Sequence, residues 1–140
     1  MNEDRSNPFT SFSLLRRVIL RGKFFFDRLF QQGHSLHTPS LHLKFVLLDQ
    51  QPSEFRVAFI TPKRLGKAVV RNKARRRMRE AFRLNQHSFV TVFDLFHTGV
   101  HCALISKKAS LSFQEYVSDI NALSEKMNHY LTIKNSKQRG

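Results

Sequence analysis

The sequence predicts an α+β fold, a small two-layer sandwich in which helices pack on one face of a small mixed sheet. Runs of branched and aromatic residues, typical of strands, alternate along the chain with segments of helical apolar spacing. The length of 140 residues is sufficient for one domain with its own core. A hydrophobic content of 41% is too high for general disorder.

The first half of the chain is predicted to contain one helix and two strands. Residues 22–32, GKFFFDRLFQQ, have the pattern of a short helix that ends before Gly33, a residue type common just past a helix end. Leu41–Leu48 and Phe55–Ile60 have strand composition. Because the connecting DQQPSE has turn composition, we expect these two strands to form a hairpin.

The second half is predicted to contain a long helix, one strand and a last helix. A basic helix spans roughly 67–85, whereas 89–96 is apolar and compatible with more than one structure. Val100–Ser106 has strand composition. Ser112 and Glu115 form a capping box at the head of the last helix. Its apolar residues follow helical spacing: Phe113, Tyr116, Val117, Ile120, Leu123, Met127 and Leu131.

The chain is expected to form one domain over residues 14–133. Polar residues 1–13 are predicted to be a flexible segment, and 134–140 a basic flexible tail. Cys102 is the only cysteine, which excludes an intrachain disulfide and a cysteine-based zinc site. No stretch resembles a signal peptide or has the length to cross a bilayer, so we expect a cytoplasmic protein.

Positive charge is the unusual property of the composition. The chain has 24 Lys and Arg against 10 Asp and Glu, a formal net charge of +14. A chain this basic needs an anionic partner, and nucleic acid is the commonest one. The bland alternative is a soluble basic domain without such a partner.

The basic helix combines an apolar arc with a dense set of cations. On a helical wheel, an arc of about 120° holds Val70, Ala74, Met78, Ala81 and Phe82. The remaining surface holds Lys73, Arg75, Arg76, Arg77, Arg79 and Arg83, with Arg71 near one edge of the arc. Like charges four residues apart destabilise a helix, so burial of the arc or a polyanion must offset them. A phosphate-contacting helix is favoured over a merely solvated one.

The stretch 61–83, TPKRLGKAVVRNKARRRMREAFR, resembles the signature of the bacterial ribonuclease P protein subunit. The hallmark of that family is Arg-Asn-Arg at the head of a long basic helix; Arg71 and Asn72 match it, and the third position is Lys73. Other matching positions are Lys63, Arg64, Gly66, Lys67, Arg76, Arg79, Glu80, Ala81, Phe82 and Arg83, with Phe26, Phe30 and Gly33 upstream. The resemblance covers some 110 residues, to about position 130.

The resemblance implies both a fold and a function. The implied fold is like the second domain of ribosomal protein S5, with the basic helix in a left-handed crossover. The implied function is to bind the catalytic RNA subunit of ribonuclease P and the 5′ leader of precursor tRNA, and to assist the removal of that leader. The protein would be an accessory subunit of this endoribonuclease, monomeric and 1:1 with the RNA, which would hold most of the Mg²⁺.

The resemblance also implies two sets of site residues. The RNA subunit would contact Lys67, Arg71, Asn72, Lys73, Arg75, Arg76, Arg79 and Arg83, and the leader would contact Phe26, Phe30, Lys44, Lys63 and Arg64. Phe26 and Phe30 could instead be core residues, since aromatics four apart often are. Lys73 keeps the family's charge without the planar guanidinium fork. Lys44 stands where the family often has an aromatic, and Phe45 would point to the other face of its strand.

No catalytic or metal-binding set of residues is apparent in the sequence. The ten acidic residues are scattered, as expected where the catalytic centre lies in RNA. His34, His37 and His42 are close together, but surface or strand histidines are favoured over metal ligands. Two other functions remain open: a non-catalytic ribosomal or RNA-assembly protein, and a transcription factor that places the basic helix on DNA.

Overall fold

A computed structural model describes residues 18–139 of the protein. In chain order its elements are α1 (Lys23–Gln32), β1 (His34–His37), β2 (Leu41–Leu48), β3 (Phe55–Ile60), a short 3₁₀ helix (Lys63–Leu65), α2 (Ala68–Leu95), β4 (Gly99–Ser106) and α3 (Phe113–Arg139). The segment 1–13, predicted to be flexible, lies outside the described residues. The α+β class is confirmed, and every helix and strand predicted with a defined type is present.

The four strands form one mixed sheet in the order β1-β2-β4-β3. β2 pairs antiparallel with both β1 and β4, and β3 pairs parallel with β4. The predicted hairpin between β2 and β3 is therefore wrong, because β4 lies between them. β4 is buried along nearly its whole length, as suits a central strand. The parallel pair β3 and β4 is joined through α2, since parallel strands require a long crossover connection.

The main core lies between the sheet and the helices α2 and α3. Its largest fully buried side chains include Phe45 of β2, Phe82 of α2 and Tyr116 of α3. Cys102 of β4 is fully buried in this core, as predicted, and burial raises the pKa of its thiol. The location of Phe45 here confirms that it points away from the face that carries Lys44.

Helix α1 packs on the opposite face of the sheet. Its buried residue Leu29 contacts a small second core with Leu20, Ala58 and Ala103. The expectation that all helices share one face of the sheet is therefore wrong for α1. Both faces of β3 and β4 carry apolar residues, so each face needs a covering helix. Gly33 ends α1 as predicted; its N–H donates to the Leu29 carbonyl at 2.9 Å, and a Cβ there would collide with that oxygen.

Helix α2 is longer than predicted, and its first turn lies outside the buried core. The apolar segment 89–96 is helical to Leu95, and Phe89 and Phe93 are buried. Val70, expected in the buried arc, is 44% exposed, which corrects that assignment. It lies in the first turn, and Ala74 is the first residue of α2 that the core buries.

Helix α3 begins with the predicted capping box. The N–H of Ser112 donates to Glu115 Oε1 at 2.8 Å, and the N–H of Glu115 donates to Ser112 Oγ at 3.1 Å. Most of the apolar residues predicted for this helix are buried: Tyr116, Ile120, Leu123, Met127 and Leu131. Residues 134–139, expected to belong to a flexible tail, continue the helix to Arg139.

Candidate nucleic-acid interface

The first half of α2 presents a cationic surface. All eight residues predicted to contact an RNA subunit lie between the N-cap of α2, Lys67, and Arg83, just past the middle of the helix. Exposed among them are Lys67, Asn72, Lys73, Arg76 and Arg79, and partly buried are Arg71, Arg75 and Arg83. A helix with exposed cations on more than one side can contact several phosphates of a folded polyanion.

Some of these cations are held by contacts within the chain. Arg71 Nε donates to the Gly66 carbonyl at 3.0 Å, where Gly66 has a φ of 132° that favours glycine. Arg75 donates to Asn72 Oδ1. These contacts orient the guanidinium groups at the head of the helix, so Asn72 acts there as an acceptor for a neighbouring arginine.

Two further arginines of α2 have partners within the chain. Arg83 forms an ion pair with Glu80, and the hydrogen bond from Arg83 lowers the pKa of that carboxyl. Arg77 donates to the Leu111 carbonyl at 3.2 Å and so ties α2 to the start of α3. Because Glu80 partly neutralises Arg83, we expect Arg83 to attract phosphate less strongly than Arg76 does.

A cleft of about 450 Å³ joins α1 to the basic helix. It lies between the segment Ile19–Arg21, α1, the edge strand β3 and α2. Its apolar lining includes Phe26, Ala58 and Ile60, and its cationic lining includes Arg75, Arg76 and Arg79. The Arg79 guanidinium carbon lies 5.9 Å from the ring centroid of Phe59, within range of a cation–π contact. An apolar floor beside cations is suited to a nucleotide, which has both a base and a phosphate.

The two phenylalanines predicted to contact a leader differ in burial. Phe26 is partly buried against the second core, and Phe30 is 47% exposed. Their rings are nearly parallel, one turn apart on α1. The core alternative therefore applies in part to Phe26, whereas Phe30 has a surface available for stacking.

Comparison with known proteins identifies the family. Residues 14–128 match the family model described as Ribonuclease P. The chain is also 32% identical, over 109 residues, to the ribonuclease P protein component of Symbiobacterium thermophilum, covering 76% of this chain and 88% of that relative. The chain belongs to the ribonuclease P protein family.

Solved structures of the ribonuclease P protein family have the same fold. The protein from Thermotoga maritima superposes with a TM-score of 0.61 at 23% identity, over 77% of this chain and 96% of that one. A Staphylococcus aureus protein superposes with a TM-score of 0.59 at 19% identity, over 75% and 90% of the two chains. The three-helix, four-stranded architecture is therefore that of the family.

Of the five residues that the family resemblance assigned to leader binding, Phe26 lines the cleft, and Phe30, Lys44, Lys63 and Arg64 do not. Lys44 lies on the face of β2 that α1 covers in part, in register with Ala103 and through it with Ala58. Two strand spacings separate Lys44 from Ala58, about 10 Å. Lys63 and Arg64 are exposed on the 3₁₀ helix, and Arg64 donates to the Lys107 carbonyl at 3.4 Å. Lys44, Lys63 and Arg64 are therefore placed to contact a single-stranded nucleic acid only where it extends beyond the cleft.

Two of the three histidines near β1 contact each other, and the third, His34, lies against the rings of Phe45 and Tyr130. His37 and His42 stack with ring centroids 4.3 Å apart, and His42 Nε2 lies 2.9 Å from Ser35 Oγ. Burial, followed by the nearby His37, lowers the pKa of His42. Within residues 18–139, no group of three or more His, Cys, Asp or Glu is placed to hold a metal ion. No helix in this range has the length and apolarity to cross a membrane.

A larger cavity, about 950 Å³, lies between β1 and the C-terminal half of α3. Leu36, Tyr130 and Ile133 contribute to its lining, and none of the predicted site residues does. The smaller cleft is the better candidate for a nucleic-acid site, because it brings the aromatic ring of Phe26 together with three arginines of α2.

Sequence reasoning missed the contacts that Phe25 and Arg28 of α1 make with β4. Arg28 Nη2 lies 3.0 Å from His101 Nδ1, and His101 Nε2 lies 2.8 Å from Glu54 Oε2. Phe25 packs edge-on against the same imidazole. The sequence shows only that His101 lies within a predicted strand, and this does not identify the residues that contact it.

Proposed function

We propose that the chain is the protein subunit of ribonuclease P, which assists endonucleolytic hydrolysis of precursor tRNA to remove the 5′ leader. Membership of the family supports the assignment. The observation that carries it is the cleft in which Phe26 of α1 faces Arg75, Arg76 and Arg79 of α2. A leader in this cleft would lie directly beside α2, the helix that we propose contacts the RNA subunit.

The catalytic RNA is proposed to bind the exposed surface of α2. Lys67, Asn72, Lys73, Arg76 and Arg79 are exposed there, and contacts within the chain orient Arg71 and Arg75. Arginine can hold phosphate through two parallel hydrogen bonds, which gives orientation as well as attraction. Arg83 would have a smaller role, since Glu80 pairs with it.

The leader is proposed to bind as a single strand. Stacking on the exposed ring of Phe30 tolerates any base, because every base has a π face. Lys44, Lys63 and Arg64 would contact leader phosphates beyond the cleft. Such a surface suits leaders of varied sequence better than hydrogen bonds to specific bases do.

The protein is proposed to supply charge and position, not the reacting groups. In this proposal the Mg²⁺ ions would be held by the RNA subunit and would supply the metal-ion chemistry of phosphodiester hydrolysis there. The protein would neutralise phosphates and hold the leader, which lowers the Mg²⁺ concentration that the complex needs. We propose that it acts in the cytoplasm as a monomer, 1:1 with the RNA.

Reconstitution tests this function. The full chain is added to the cognate catalytic RNA and precursor tRNA at low Mg²⁺, and the rate of leader removal is compared with that of RNA alone. We expect faster cleavage and tighter binding of leader-bearing substrate. Cleavage no faster than with RNA alone would reject the proposal. Binding of structured RNA without leader preference or faster cleavage would favour a ribosomal or RNA-assembly protein.

A further inference from the structure

Helix α1 has two flanks, one on either side of its buried residue Leu29. Leu29 is fully buried on the sheet and marks the centre of the contact. At 100° per residue, Phe26 and Phe30 lie on one side of Leu29, and Phe25 and Arg28 lie on the other. The first flank faces the cleft, and the second contacts His101 of β4. A change in how the second flank is held would therefore rotate or shift the first.

The hydrogen bonds around His101 define its tautomer. A guanidinium group only donates, so Arg28 Nη2 donates to Nδ1, which must be unprotonated. The remaining ring nitrogen, Nε2, carries the proton and donates to Glu54 Oε2. The geometry therefore requires a neutral imidazole that links a cation of α1 to an anion beside β3.

The imidazole ring of His101 is buried and is packed on several sides by α1 and by the neighbouring strands. His101 is 4% exposed, and Phe25 packs against it with ring centroids 5.2 Å apart and planes at 87°. From the neighbouring strands, Val46 and Arg56 are in register with it. The charged groups facing the imidazole are thus Arg28 of α1, Glu54 immediately before β3 and Arg56 of β3, whose Nε lies 3.3 Å from Glu54 Oε2.

We propose that neutral His101 is a positioning residue, which seats α1 on the sheet through Arg28 and thereby sets the Phe26 and Phe30 side of the leader cleft. This inference rests on the proposed function, because the cleft is the site whose geometry it sets. His101 does not touch the leader. It acts through the orientation of α1, so its loss should alter leader binding and spare the contact of α2 with the RNA subunit.

Protonation provides a test of this role. A proton on Nδ1 would replace the acceptor for Arg28 with a donor and place two cations side by side. Burial lowers the pKa of His101 below its ordinary value of 6.5, although Glu54 acts in the opposite direction. His101 therefore stays neutral at neutral pH, and the link to Arg28 is lost as the pH falls through the folded pKa, below 6.5.

The experiment compares His101→Gln and His101→Ala with the wild-type chain. A glutamine amide can accept from Arg28 and donate to Glu54 but does not titrate in this range. The ratio of dissociation constants for mature tRNA and leader-bearing precursor is measured with the reconstituted complex from pH 7.5 down to the pH at which NMR shows the His101 ring to be protonated. The matched control is His129→Gln, an exposed histidine on α3.

The expected results separate positioning from folding. The wild-type leader preference should fall at acid pH, His101→Gln should keep it throughout, and His101→Ala should lower it at every pH, on the order of tenfold. Affinity for the RNA subunit alone should be unchanged, and His129→Gln should behave as wild type. Circular dichroism would identify a variant that fails to fold. The inference is rejected if His101→Gln follows the wild-type pH dependence or His101→Ala retains the full preference.

A second measurement does not depend on the RNA. Backbone amide resonances of Phe26 and Phe30, together with the His101 ring signals, are followed by NMR in the free protein from pH 7.5 downward through the titration of His101. They should shift with the His101 titration in the wild-type chain and not in His101→Gln. A wild-type complex without leader preference would reject the proposed function, whereas absence of this NMR shift would reject the role of His101.

Discussion

The rings of Phe26 and Phe30 lie nearly parallel on α1, with centroids 6.4 Å apart and planes inclined by 13°. The inner ring, Phe26, packs against the second core and lines the cleft, whereas the outer ring is 47% exposed. A ring anchored in the core thus stands beside one with a surface open to solvent. This arrangement extends the apolar floor of the cleft outward along the helix.

Phe30→Ala is expected to weaken binding of leader-bearing precursor tRNA more than binding of mature tRNA. The loss should be about 1–3 kcal/mol, the usual contribution of one stacked base. Because about half of the Phe30 side chain is exposed, the free energy of unfolding should fall by only about 1 kcal/mol, less than for a fully buried phenylalanine. Binding measured by fluorescence anisotropy and unfolding by urea provide the two values.

Phe24→Ala is the matched control for that variant. Phe24 is also an aromatic of α1 and is 68% exposed, but it lies on the other flank, where the Arg28 guanidinium carbon is 6.0 Å from its ring centroid. We expect it to change the leader preference less than Phe30→Ala does, because Phe24 can affect the cleft only through Arg28. Equal losses in the two variants would show that exposed aromatics of α1 act non-specifically.

Arg76→Ala is expected to weaken binding to the RNA subunit and to reduce the salt slope by about one. Arg76 is exposed, lines the cleft and is one of the cations least held by contacts within the chain. The dissociation constant is measured over a series of salt concentrations. An unchanged slope would place Arg76 outside the RNA contact.

Arg77→Ala removes the same charge from the adjacent position. Arg77 donates to the Leu111 carbonyl, so its loss should lower the free energy of unfolding by about 0.5–1.5 kcal/mol. The salt slope should stay close to the wild-type value. A similar drop in slope for both variants would mean that the slope reports net charge and not contact.

Lys73→Arg is expected to strengthen binding to the RNA subunit without changing the salt slope. Both residues carry one positive charge, but only the guanidinium can hold a phosphate through two parallel hydrogen bonds. Lys73 is exposed, so the longer fork has room to form these bonds. The same salt series gives both values, and a weaker complex would show that the ammonium group makes a contact of its own.

Asp119→Ala is expected to lower the free energy of unfolding by roughly 2–3 kcal/mol. Asp119 of α3 is 9% exposed, and its Oδ2 accepts from the Ser40 N–H at 2.6 Å and from Thr38 Oγ1 at 2.9 Å. The variant leaves both donors of the β1–β2 turn without their acceptor. Glu125→Ala, an exposed acid on the same helix, should change stability by no more than about 0.5 kcal/mol. Urea titrations of both variants test this difference.

Local patterns were sufficient for most of the elements. The apolar spacing of α3 and its capping pair at Ser112 and Glu115 predicted both its start and its buried face. β2 and β3 were recognisable because strand composition and turn residues act over a few positions. One exception is β1, His34–His37, which the sequence did not predict, and another is 89–96, which continues α2, because a short apolar run fits a buried helix as well as a strand.

The arrangement of these elements depended on contacts between distant parts of the chain. β4 separates β2 from β3, and α1 lies on the face opposite α2. Both features are decided by which apolar surfaces pack together in the folded chain, and neither can be recognised from the local spacing of residues. The pairing of Arg28 with His101 is of the same kind, since 73 positions separate them in the sequence.

The motif at Arg71 and Asn72 was sufficient to identify the family and its cationic helix. The tertiary structure alone placed Phe26 beside Arg75, Arg76 and Arg79, and left Lys63 and Arg64 outside that cleft. The reason is physical: residue type and spacing set the charge and the helix, whereas a concave site exists only where separate elements meet. For this chain, those elements are α1, β3 and α2.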